Sequence, residues 1–64
     1  MRRLTRLKKE RQRSRLTQQE LAKISGVNRT TITRLERGAT RASPVTMSKL
    51  ARVLKVKPSA LVWI

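Results

Sequence analysis

The amino-acid sequence predicts an all-α fold of five short helices. Three observations carry that reading. Apolar residues recur at spacings of three and four, and no stretch shows the alternation of a strand. Helix-starting residues (Thr17, Asn28, Ser43-Pro44) and helix-stopping glycines (Gly26, Gly38) cut the chain into short segments. The length, 64 residues, allows one small unit spanning 1–64. A domain of that size buries only about 60% of its unfolded surface, so its core must be compact. With no cysteine present, no disulfide supplements it.

The first helix is expected from about Arg2 to Ser14, with Leu4 and Leu7 on a face that continues through Arg11 and Ser14. The second opens on a capping box, in which Thr17 and Glu20, three residues apart, each satisfy the other's free backbone N–H. It should bury Leu21, Ala22 and Ile24 and stop at Gly26, a natural left-handed terminator. The third has Asn28 as N-cap, buries Ile32 and Leu35 and ends near Arg37. Ser43-Pro44 starts the fourth, since proline at the first helical position lacks only an N–H that has no intrahelical partner anyway. Met47, Leu50, Ala51 and Leu54 follow at helical spacing. A fifth short helix follows Pro58, preceded by Lys57, a poor cap, and carries Leu61, Val62, Trp63 and Ile64.

Charge is the outlying property. Seventeen Lys and Arg face three Glu, a net +14. Such a domain repels itself and calls for an anionic partner: nucleic acid, an anionic membrane surface or an acidic protein. The excess is densest at Arg2, Arg3, Arg6, Lys8, Lys9, Arg11, Arg13 and Arg15. No apolar run follows them, so a signal peptide is not indicated, and no stretch has the length of a membrane span. The expectation is a soluble, intracellular protein. Without His, Cys or Asp, no acid–base pair or metal site can be assembled, so neither enzyme, cofactor nor metal is expected. A membrane-active basic peptide would need one long amphipathic helix, and the caps, turn glycine and prolines prevent it.

Between the second and third helices there is room for a turn of about three residues containing Gly26. Two helices so joined, the second polar outside, outline a helix-turn-helix. The small Ala22 permits close crossing, and Val27, Ile32 and Leu35 face inward. Arg29, Thr30, Thr33, Arg34 and Arg37 then share the opposite face. Threonine and asparagine are weak helix formers, so that face is not built for helix stability. Arginine can pair bidentately with guanine, and threonine can donate, accept or meet a thymine methyl. The alternative is a plain solvated face on an ordinary helical bundle.

The chain resembles the Cro/phage-repressor (XRE-like) type of helix-turn-helix domain, a compact five-helix lambda-repressor-like fold. The resemblance covers essentially the whole chain. It rests on Arg11, L-T-Q-Q-E-L-A at 16 to 22, Gly26-Val27, I-x-x-L-E-x-G at 32 to 38 and K-L-A-x-x-L at 49 to 54. It implies that the third helix enters the major groove of double-stranded DNA, with Arg29, Thr30, Thr33 and Arg34 reading bases and Asn28, at the entry, counted with them as a base-reading residue. Gln18, at the free N–H end of the second helix, is expected on a phosphate. Thr17 is either a second such contact or a cap alone. Arg37, Arg41 and Ser43 flank the loop where the family makes its other backbone contact. Arg11 lies on the apolar side of the first helix and needs a partner; Glu36 is the best available acid, and the family pairs these positions. Two departures stand out. Arg15 and Lys55 occupy positions where the family carries glycine, so both are expected at positive φ, at some cost.

Domains of this type bind two half-sites as dimers. Pro58, Val62, Trp63 and Ile64 are the expected dimer surface, because that apolar run exceeds what the core needs; alternatively, Trp63 lies over the first helix as core. The expected function is that of a homodimeric, sequence-specific transcriptional regulator, a repressor, with no small-molecule ligand and no membrane partner. Two rivals stay open: a sequence-blind basic nucleic-acid binder, and a protein-interaction module such as an antitoxin or co-activator on the same fold.

Overall fold

The computed structural model describes residues 3–62. Four α-helices run in order, α1 (Leu7–Arg13), α2 (Gln18–Ser25), α3 (Arg29–Glu36) and α4 (Pro44–Leu54), followed by a 3₁₀ turn at Pro58–Leu61. The fifth expected helix is thus a single tight turn. Its flanks explain this: Lys57 offers no side-chain cap, and Val62 has already returned to extended backbone.

The first helix also starts later than expected. Leu4 lies outside it yet is fully buried. The Arg6 N–H bonds across the fold to the Leu61 carbonyl at 3.1 Å, and the Leu7 N–H bonds Leu4 O at 3.0 Å, a turn closure. The N-terminal segment is held by tertiary contacts, so helical propensity does not decide its conformation.

Among the described residues seven large side chains are fully buried, Leu4, Leu7, Leu21, Ile32, Leu35, Leu50 and Leu61. Each is worth about 1.5–3 kcal/mol of transfer free energy. Val27, Ala42, Ala51 and Leu54 complete the core. α2 packs on α3 and α4, α4 on the 3₁₀ turn, and α1 on α3. Ile24, expected inside, is 60% exposed. It lines a surface groove with Leu16, Arg52, Val53 and Lys55, while Leu21 is buried and Ala22 packs partly buried on the core from the same helix. Among the described residues no helix is long and apolar enough to cross a membrane.

Every α-helix ends on a left-handed residue. After α2 it is Gly26, φ 75°, and after α3 it is Gly38, φ 74°; after α1 and α4 it is Arg15, φ 59°, and Lys55, φ 57°. Three of these ends share one pattern. Arg15 N bonds Gln12 O and Leu16 N bonds Arg11 O; Gly38 and Ala39 repeat this on Leu35 and Arg34, and Lys55 and Val56 on Arg52 and Ala51. These are Schellman closures. Gly26 makes the simpler bond, its N–H to Ala22 O at 3.0 Å.

Candidate nucleic-acid interface

The turn between α2 and α3 consists of Gly26, Val27 and Asn28. Val27 is anchored in the core, and its N–H bonds the Ser25 hydroxyl at 3.2 Å. Asn28 then caps α3, its Oδ1 accepting the Thr30 N–H at 2.7 Å. That side chain oxygen is engaged in starting the helix. At the other end of the unit the capping box is complete: Glu20 N–H to Thr17 Oγ1 at 3.0 Å, Thr17 N–H to Glu20 Oε1 at 2.9 Å. The Thr17 backbone bond, and secondarily its hydroxyl, hold the Glu20 carboxyl below the usual range.

Ile32 and Leu35 bury the inner face of α3. On the outer face Arg29, Thr30 and Arg34 are exposed, and their side chains make no hydrogen bond or ion pair among the described residues. Arg37, at the end of α3, and Arg41, in the following loop, are exposed as well. That loop is pinned by Ala42, 2% exposed. Ser43 caps α4, accepting the Thr46 N–H at 3.3 Å.

Along the edge of α3 between the two faces runs a connected polar network. Arg11 Nε donates to Glu36 Oε2 at 2.6 Å and its Nη2 to Oε1 at 3.1 Å, a bidentate pair. Arg11 Nη1 donates to the Leu16 carbonyl at 2.7 Å. Gln18 Nε2 donates to Glu36 Oε1 at 2.9 Å, and Thr33 Oγ1 donates to Gln18 Oε1 at 2.8 Å. Helices α1, α2 and α3 meet at this one carboxylate. The sequence reading had no sign of the last two bonds. A signal existed: Thr33 and Glu36 are three apart on a helix, so a side chain that reaches one from α2 reaches the other. Pro58 is exposed and Val62 half-buried against the core; Trp63 and Ile64, named with them as a dimer surface, lie outside the described residues.

The helix-turn-helix family profile matches residues 7–61. The chain belongs to the Cro/phage-repressor-type, XRE-like helix-turn-helix family. Among solved structures it is similar to the restriction-modification controller protein C.AhdI from Aeromonas hydrophila, at 37% identity and a TM-score of 0.83, over 89% of this chain and 86% of that one. No curated relative matches. As a helix-turn-helix protein with a regulator as its structural neighbour, the chain is a DNA-binding transcription regulator, and double-stranded DNA is its partner.

Proposed function

We propose that the protein is a homodimeric transcriptional repressor that reads an operator of two half-sites through α3. The observation that carries this is the outer face of α3. Arg29, Thr30 and Arg34 stand exposed there, with no partner among the described residues, opposite a fully buried Ile32 and Leu35. A surface of that composition has what direct readout requires, bidentate guanidinium forks and a short hydroxyl. Thr33 and Asn28 sit at its margins. Arg37, Arg41, Ser43 and the α2 start at Thr17 and Gln18 set register on phosphates, contacts that position without reading sequence. With about six phosphates neutralised, log affinity falls with log salt at a slope near −5. Pro58, Val62, Trp63 and Ile64 supply the dimer contact, and the protein works at the nucleoid in the cytoplasm. The likeness to C.AhdI, a restriction-modification controller protein, supports control of restriction–modification as the regulated process.

A second reading, sequence-blind nucleic-acid binding, is favoured by the net charge of +14. Selection from a random duplex library at near-physiological salt separates the two. An inverted repeat with half-sites about one helical turn apart supports the dimeric regulator. A single half-site removes the dimer. Absence of enrichment, with tight binding kept at low salt, leaves charge alone as the binding force.

A further inference from the structure

The polar network fixes more than the position of α3. Glu36 Oε1 already accepts from Arg11 Nη2 at 3.1 Å, and Gln18 approaches the same oxygen at 2.9 Å. Only the amide nitrogen of Gln18 can face a carboxylate oxygen at that distance, because its carbonyl oxygen would bring two acceptors together. The amide orientation of Gln18 is therefore set by Glu36. Its carbonyl oxygen must then face Thr33, 2.8 Å away. That oxygen has no proton, so the proton in this bond comes from the Thr33 hydroxyl. The bonds run in one direction, from hydroxyl to amide to carboxylate, and each polarises the next.

A threonine hydroxyl has one proton and two acceptor sites. With the proton committed inward, half-buried Thr33 has only acceptor capacity left for anything outside. We infer that Gln18 is a specificity-positioning residue: through Glu36 it makes Thr33 an obligate acceptor, which reads an exocyclic amine in the major groove. Adenine offers N6–H₂ and cytosine N4–H₂ there, while guanine and thymine present O6 and O4 acceptors. At the base pair nearest Thr33 the protein selects A or C over G or T on one strand. This partition follows neither purine against pyrimidine nor A·T against G·C. The inference rests on base reading by α3 as proposed above, and it moves Gln18 from phosphate contact to that role.

The test compares wild type, Thr33→Val and Gln18→Ala on the selected operator and on every single-base variant of it, with a urea denaturation of each protein as the folding control. Thr33→Val is nearly isosteric and leaves the Gln18–Glu36 bond in place, so it identifies the base pair concerned even where Gln18→Ala is unstable. At that pair wild type prefers the amine-bearing bases by roughly three- to tenfold, the worth of one hydrogen bond. Thr33→Val loses the preference. Gln18→Ala, which frees the proton, relaxes it at the same pair and nowhere else. Replacing adenine there by purine, which lacks the amine, weakens wild type by the same factor and leaves Thr33→Val unaffected.

Three results overturn the inference: a keto base preferred at that pair; a thymine preference that survives Gln18→Ala, which marks a methyl contact; or a Gln18→Ala loss spread evenly over all positions, which marks a backbone contact. Failure of the underlying reading looks different, because wild type then enriches no sequence at all.

Discussion

The two faces of α3 are made on the same eight residues and obey opposite rules. Toward α1 and α2 every group is matched: Ile32 and Leu35 are in the core, and Glu36 accepts three hydrogen bonds. Toward solvent, Arg29, Thr30 and Arg34 have no partner among the described residues. One face holds the domain together; the other is, on the function proposed above, the one that meets DNA. The difference teaches that groups committed to the fold and groups left open to a partner are separable here by side chain, with half-buried Thr33 on the border between them.

The strongest way to break that separation is at Glu36. The side chains of Arg11 and Glu36 are 11% and 3% exposed. Removing the acid strands a nearly buried guanidinium, which costs about 3–5 kcal/mol. At roughly 0.05–0.15 kcal/mol per residue, a 64-residue domain has only about 3–10 kcal/mol in all, so Glu36→Ala should remove a third or more of it, lower the urea midpoint sharply and weaken DNA binding along with the fold. A variant that stays stable would show the network to be dispensable. On the outer face Arg34→Ala should do the reverse: about 1–3 kcal/mol lost from specific binding by titration, with the urea midpoint moved by no more than about 0.5 kcal/mol equivalent. A matching loss of stability would mean the faces are coupled.

The helix ends sharpen the comparison. Glycine occupies the left-handed position on both sides of α3, whereas Arg15 and Lys55 occupy it after α1 and α4. A side chain in that conformation costs about 1–2 kcal/mol, partly offset by a cation at a helix C-terminus, about 0.3–1 kcal/mol. Lys55→Gly should therefore stabilise the protein by about 1 kcal/mol or less. Gly26→Ala should destabilise it by about 1–2 kcal/mol. A Cβ at Gly26 would meet nothing within 4 Å, so the loss should come from the backbone alone. Equal effects at both sites would contradict this account of the turns.

The smallest expected effect is at Glu20. Its folded carboxyl titrates below the usual range because the Thr17 N–H and hydroxyl favour the charged form. The unfolded chain therefore binds more protons in that window. The box contributes fully above the ordinary glutamate range and is lost as pH falls below about 4. Glu20→Gln keeps a capping side chain without the titration, so its acid limb in urea midpoint against pH should be flatter than that of wild type.

Much of this was legible in the sequence. Caps at Thr17, Asn28 and Ser43 and stops at Gly26 and Gly38 announce themselves through residue types whose geometry is local. The positive φ of Arg15 and Lys55 was expected from the family pattern. What was not legible depends on tertiary contacts. The start of α1 is set by Leu61, more than fifty residues away in sequence, through its bond to Arg6. Ile24 has a core-forming side chain on a helix that buries Leu21 and, in part, Ala22 instead. The sequence locates Gln18 only by the helix end it occupies; the Glu36 and Thr33 side chains that engage it become its neighbours only after the chain folds.

The brevity of α2 and α3 has a further consequence. Each has eight residues, below the roughly 12–15 at which an isolated helix becomes even marginal in water. The recognition surface thus has no existence apart from the folded population. DNA binds only that population, and at a hundred times Kd it adds about 2.7 kcal/mol to the folded side, while neutralising the self-repulsion of a chain at +14. Degradation that acts through the opened state slows in proportion. Bound DNA therefore lengthens the life of the molecule sitting on it, and turnover of the regulator reports how much of it is bound.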